Sequence, residues 1–283
     1  MIKHFVPKDL ADALDILQHN DCYIMAGGTD LMVQKHVSSG LAPAFDRSVL
    51  YVMGLKELDY IKEDKEGKIH IGATTKYSEL LASPLIPEVY KTVINEVASP
   101  NIRNMATLVG NIGNASPAGD AIVPLVLNDA YVVLSSSSGS REVLVKDYIV
   151  GVRKTIRKSE EMITEIVIKP LNLQYFYRKV GARKAESISK ISFLGAYKIE
   201  QNIIKDFRAC FGSVAIKASR DLEIENKYKN IPVEKLDIDS VIKDYSSLIS
   251  PITDHRSNEF YRRKVSLNLL RKFLTQMKGE SRE

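Results

Sequence analysis

Two short stretches carry residues whose types and spacing could do chemistry. The first runs Ile24-Met25-Ala26-Gly27-Gly28-Thr29-Asp30-Leu31. Its apolar start reads as the end of a buried strand and its close as the start of a helix, so the glycines fall in a strand-to-helix turn. Adjacent glycines let the backbone approach a bulky anion and aim N–H groups at it. A following helix adds the positive end of its dipole, and the Thr29 hydroxyl is a further donor. This is phosphate-binding chemistry without a P-loop lysine or the G-x-G-x-x-G spacing. A plain tight turn accounts for the same residues equally well, so this stretch decides nothing alone.

The second stretch is Ile102-Arg103-Asn104-Met105-Ala106-Thr107-Leu108-Val109-Gly110-Asn111, continued by Ser116-Pro117-Ala118-Gly119-Asp120. It supplies amides, hydroxyls and a carboxylate, groups suited to a polar, sugar-containing ligand. No histidine lies within it, so a nucleophile–base pair is missing and a binding loop is the better reading. Elsewhere, five histidines show no zinc spacing. The two cysteines, Cys22 and Cys210, are too few for an iron–sulfur cluster and imply no disulfide framework.

These stretches must be held by regular elements. Leu10, Ala13, Leu14 and Leu17 follow the period of an amphipathic helix, with Asp9 placed to cap it. Strands over 22–26 and 49–53 make a small βαβ-like start. A hairpin pairs 60–62 with 69–73, Thr75 is placed to cap a helix through Leu81, and a longer helix covers 88–98. Residues 99–119, rich in Asn, Gly, Ser, Pro and Thr, predict a long irregular segment, which inside a compact domain usually serves function. A buried helix over 121–127 and strands at 131–135, 142–145 and 164–168 follow. Pro170 marks a boundary. Beyond it, strands near 175–179, 192–199 and 208–214 predict an antiparallel meander, with helices at about 233–243 and 258–277.

The 283 residues are 45% hydrophobic and 27% charged, which is a globular composition with room for two or three domains. No apolar run is long enough to span a membrane, and the opening residues lack a signal-peptide layout, so a cytoplasmic protein is expected. The net charge of +5 is mild and the basic residues are dispersed. No basic stripe interleaved with stacking aromatics appears, which argues against nucleic acid as a partner.

The two stretches together resemble the paired FAD-binding loops of the molybdenum hydroxylase flavoprotein family, whose members carry AGGTDL-like and IRNxATxGGN…SPxxD-like loops. That family includes FAD subunits or domains of xanthine, carbon monoxide and nicotinate dehydrogenases. Phe176 to Ile191 resembles its inter-domain linker, Phe211-Gly212-Ser213-Val214-Ala215 with Arg220 its FGxVA…R stretch, and Ser250 to Arg263 its closing SDxRxxxEYRR signature. The resemblance implies an α+β fold: a two-part α/β FAD-binding domain of the PCMH type over 1–172, with parts 1–57 and 58–172. A C-terminal domain of three-stranded antiparallel sheet plus helices would fill 173–283.

The same resemblance implies roles. Ala26 to Leu31 would wrap the FAD pyrophosphate, completed by Thr107, Gly110 and Asn111, and Ile24 and Met25 would also contact the cofactor. Asp120 would bond sugar hydroxyls, Ile102, Ala106 and Ile163 would line the flavin or adenosine, and Lys179 would approach the flavin. FAD would be non-covalent, NAD⁺ the acceptor, and molybdopterin and [2Fe-2S] clusters would sit on large and small partner subunits. Val109 departs from the family's glycine. A β-branched residue resists positive φ, so a reshaped loop or weakened FAD contact is expected there. The rival readings are a free-standing FAD-dependent oxidoreductase and a flavin-free assembly scaffold.

Overall fold

The computed structural model describes residues 2–280. The chain forms two compact units that are not contiguous in sequence. The first comprises the chain up to Pro87 with Ala98–Ala115 and Asp129–Pro170, and the second comprises Glu88–Val97, Ser116–Asn128 and the chain from Leu171 on. The expected division at 172/173 therefore divides the chain but not its packing. Two stretches of the first half bury their apolar faces with the second half.

In the first unit, strands His4–Phe5, Ser48–Tyr51 and Cys22–Met25 form a parallel three-stranded sheet with Ser48–Tyr51 in the centre. The helix Leu10–His19 connects its outer strands. Asp9 caps that helix by accepting the Asp12 N–H at 2.8 Å, as the sequence predicts. A five-stranded antiparallel sheet has the order Ile61–Glu63, Ile69–Gly72, Met162–Ile168, Tyr131–Ser136, Gly139–Leu144. Its central strand Met162–Ile168 is buried at six of seven positions, as a strand covered on both faces must be.

Two local expectations are corrected here. Thr75 does not cap the helix Tyr77–Ala82; its hydroxyl donates to Tyr60 O at 3.0 Å and accepts the Tyr60 N–H. Residues 99–119 are not irregular. They contain the helices Pro100–Arg103 and Leu108–Asn114, started by the side chains of Ser99 and Thr107. Each hydroxyl accepts an N–H three residues on, which satisfies a donor that a helix start leaves open.

In the second unit, Gln174–Val180, Ile191–Glu200 and Ile203–Gly212 form the predicted antiparallel meander. Its core is aromatic, with Phe193, Phe207, Phe211, Tyr245 and Phe273 all fully buried. The predicted helix at 233–243 is instead a single 3₁₀ turn, Val233–Lys235, followed by a helix Ile238–Ser246 capped by Asp237. The helix Glu259–Glu280 lies against the central strand. Helices Glu88–Asn95 and Ile122–Leu127 belong to this unit too, packing on Gln174–Val180 and Ile203–Gly212 respectively. The fold is α+β. Among the described residues, no helix is long and apolar enough to cross a membrane.

Candidate functional site

The first glycine stretch leaves the sheet at Met25, whose carbonyl accepts the Val52 N–H at 3.0 Å. Ile24 and Met25 are the strand's last residues, and Ala26 to Asp30 form the turn. Leu31 opens the short helix Leu31–Gln34, which the Met32 N–H locks by donating to Gly28 O at 2.9 Å. Gly28 has φ +66°, a conformation that a side chain resists. A Cβ at Gly27 would lie 1.9 Å from the Met105 carbonyl oxygen and 3.2 Å from the Ala106 nitrogen. The two predicted loops thus meet backbone to backbone, and only a residue without a side chain permits it.

The second loop is pinned from behind. Ala106 O accepts the Tyr77 N–H at 2.9 Å, and Thr107 bridges to Lys76. Ala106 and Thr107 are buried, Ile102 and Gly110 are exposed, and Asn111 is half-buried. The Asn111 Oδ1 is itself buried and accepts no hydrogen bond from the described residues. Ile163, on the central strand, lies 4.0 Å from where a Gly113 Cβ would be, so it backs the helix Leu108–Asn114. Val109 lies inside that helix, buried and with no positive φ. The expected strain at this position is therefore absent, because the chain there is helical rather than turned.

Asp120 and Lys179 belong to the second unit and hold each other. Lys179 Nζ is 2.8 Å from Asp120 Oδ2 and donates to Glu96 O at 2.7 Å. The Ser189 hydroxyl donates to the other Asp120 oxygen. Burial pushes the Glu96 carboxyl above its usual range, with Asp120 adding to the shift against the opposing pull of Lys179. Burial, then the Asp120 and Glu96 carboxylates, hold the Tyr177 phenol far above its ordinary value.

Sequence reasoning missed Arg153, whose guanidinium lies 3.0 Å from Asp30 Oδ2, and Asn114 and Gln34, which bond each other at 3.0 Å beside it. It also missed Glu96 and Ser189. Asn114 and Ser189 lie inside stretches singled out above and Gln34 stands four residues from Asp30, but no role pointed to them; Arg153 and Glu96 are far in sequence from their partners. Burial also raises the Cys22 thiol pKa, and the Cys210 thiol is held far above its usual range. Neither is a reactive thiolate. Among the described residues, no group of three or more His, Cys, Asp or Glu could hold a metal.

The family model for the FAD binding domain in molybdopterin dehydrogenase matches residues 1–170. The chain belongs to this family. The model for the CO dehydrogenase flavoprotein C-terminal domain matches residues 176–277. The glyceraldehyde dehydrogenase medium chain of Sulfolobus acidocaldarius is 33% identical over 267 residues, covering 91% of this chain and 92% of the relative. The nicotinate dehydrogenase FAD-subunit of Eubacterium barkeri is 34% identical over 211 residues, covering 69% and 68%. A chain of reconstituted CO dehydrogenase from Oligotropha carboxidovorans shares the fold, with a TM-score of 0.88 at 22% identity over 99% of this chain and 98% of that one. The resemblance drawn from the loops is thereby met across both halves of the sequence.

Proposed function

We propose that the chain holds one FAD non-covalently and serves as the electron-transfer subunit of a multi-subunit molybdenum hydroxylase. The observation that carries this reading is the backbone contact of Gly27 with Met105, which builds one cradle from two loops. The residues fit the group. Gly28 turns the backbone with no side chain in the way, and the Asn111 side-chain amide, whose Oδ1 has no partner among the described residues, has in its Nδ2 a donor for a phosphate oxygen. Residues 26–31 with Thr107, Gly110 and Asn111 are assigned to the pyrophosphate, and Ile24 and Met25 to the cofactor without a finer role. Ile102, Ala106 and Ile163 are assigned to apolar contacts. Asp120 and Lys179 enter through the family resemblance, as an acceptor for sugar hydroxyls and a cation toward the flavin. No cysteine or histidine lies in either loop to attach the flavin covalently.

Bound flavin supplies what no side chain here can, since it accepts single electrons and gives up a hydride. The task left to the chain is to bind and orient it. The electrons are proposed to come from [2Fe-2S] clusters on a small subunit, with substrate oxidised at a molybdenum cofactor on a large one. NAD⁺ is the proposed acceptor and the cytoplasm the proposed location. Two named relatives, a medium chain and an FAD-subunit, support a place within a larger assembly. A flavin-free scaffold rested on Val109, and a helical Val109 no longer favours it.

The purified chain is expected to release FAD, rather than FMN, on denaturation. Anaerobic NADH should bleach that flavin and an artificial dye restore it, whereas xanthine, nicotinate or carbon monoxide should leave it oxidised. Release of FMN, or of no flavin after gentle purification, would overturn the cofactor assignment. Bleaching by one of the three substrates without partner chains would overturn the relay. Failure of NADH alone would overturn only the acceptor.

A further inference from the structure

Sequence preference and structure conflict at Arg153. Strands Ile149–Gly151 and Lys154–Thr155 are joined by a two-residue turn whose second residue, Arg153, has φ +53°. Turns with positive φ at that place favour glycine or asparagine, because a Cβ crowds the neighbouring carbonyl. An arginine kept in a conformation it disfavours points to work done by its side chain.

That work is visible in its partners. Arg153 Nη1 donates to Asp30 Oδ2 at 3.0 Å and also to Asn114 Oδ1. Its own backbone N–H donates to Ala115 O at 3.0 Å. Gln34 Nε2 donates to the same Asp30 oxygen and, at 3.0 Å, to Asn114 Oδ1. Asp30 follows the glycine pair of the first loop, and Asn114 ends the helix that grows out of the second. The positively charged group thus ties both halves of the cradle together on the side away from the Gly27–Met105 contact in sequence. Oxygen acceptors from two loops converge on one guanidinium nitrogen, Nη1, whose two N–H groups can serve both.

We infer that Arg153 is a positioning residue for the dinucleotide: it clamps the two cradle loops in register through Asp30 and Asn114 and touches no reacting atom. The inference rests on the proposed FAD reading and adds to it a residue far from either motif. Both members of the ion pair are roughly half exposed, so the clamp is modest in strength and its loss should be seen in cofactor release before it is seen in folding.

Arg153→Gly separates the two roles, because glycine meets the turn's own preference while removing the clamp. In the full-length chain, the apo-protein melting temperature is expected to stay level or rise. FAD dissociation, followed by recovery of flavin fluorescence on dilution, should quicken roughly three- to tenfold. Arg153→Lys, which keeps a charge without the guanidinium, should fall between. Asn114→Ala should quicken release as well, and adding it to Arg153→Gly should add little, since both break one clamp. Arg153→Gly that retains FAD like the wild type would overturn the inference alone. So would a variant whose apo-protein melts lower in step with its loss of FAD, since Arg153 would then be merely structural. A wild-type chain that takes up no FAD would remove the underlying reading, and the inference with it.

Discussion

Lys179 and Asp120 form an ion pair of 2.8 Å whose side chains are only 7% and 5% exposed. Removing one member of such a pair strands the other charge away from water. Lys179→Met is therefore expected to destabilise the chain by about 3–5 kcal/mol. Adding Asp120→Leu to Lys179→Met should recover a large part of that loss, because no charge then remains buried. Urea unfolding of the single and double variants measures both. A single variant within about 1 kcal/mol of wild type would mean that water reaches the pair.

Gly27→Ala places a methyl carbon where the Met105 carbonyl oxygen lies, so the two loops must part. FAD affinity should fall at least tenfold, or about 1.4 kcal/mol. Gly28→Val should act in the same direction, through φ +66° and the close Met25 and Met32 side chains. Gly54→Ala is the control, with open space around its Cβ, and should retain flavin. Equal retention in all three variants would put the cofactor elsewhere.

Val109→Gly should weaken the protein, although the family's glycine at this position suggests relief of strain. Val109 is buried inside the helix Leu108–Asn114, so glycine removes apolar packing and loosens the helix backbone. The expected cost is about 2–3 kcal/mol of stability, with FAD retention reduced or unchanged. A gain in either quantity would show that the helix is not maintained in solution.

His70 offers a test with pH. Its Nδ1 lies 2.8 Å from Glu165 Oε1 and its Nε2 3.2 Å from Asp64 Oδ2, so only the doubly protonated ring satisfies both. Burial works against the charge, but Glu165 and Asp64 outweigh it and hold the pKa above the ordinary 6.5. With the folded value above the unfolded one, the stabilisation is complete below about pH 6.5 and is lost as pH rises through the raised value. Thermal midpoints of wild type and His70→Gln should therefore differ most at about pH 6 and converge toward about pH 9. A gap that stays constant or widens with pH would contradict this.

The glycine turn was legible because its signal is local: an apolar strand end, two glycines and a helix start within eight residues. The meander of the second unit was legible for a similar reason, since its strands follow one another. Residues 99–119 were misread because helices of four and seven residues are too short to show a hydrophobic period, and their Asn and Gly content suggests loop. The capping Ser99-Pro100 and Thr107 were nonetheless in plain view. Lys179 and Asp120 were singled out one by one, but nothing local says that they pair. Arg153 was visible only as part of a small basic cluster with Lys154, Arg157 and Lys158, because its ion-pair partner stands 123 residues earlier.

The interleaving of the two units has a consequence for synthesis. The helix Ile122–Leu127, buried at all six positions, leaves the ribosome before the strand Ile203–Gly212 that it packs on. The helix Glu88–Asn95 likewise waits for Gln174–Val180, with Val89, Tyr90, Val93 and Ile94 uncovered meanwhile. At about 5–20 residues per second, that interval is on the order of several seconds. A nascent chain of this kind cannot finish its amino-terminal half first and then append the rest. Its apolar helices stay exposed until Gln174–Val180 and Ile203–Gly212 have been made, which makes the growing polypeptide a customer for holding chaperones.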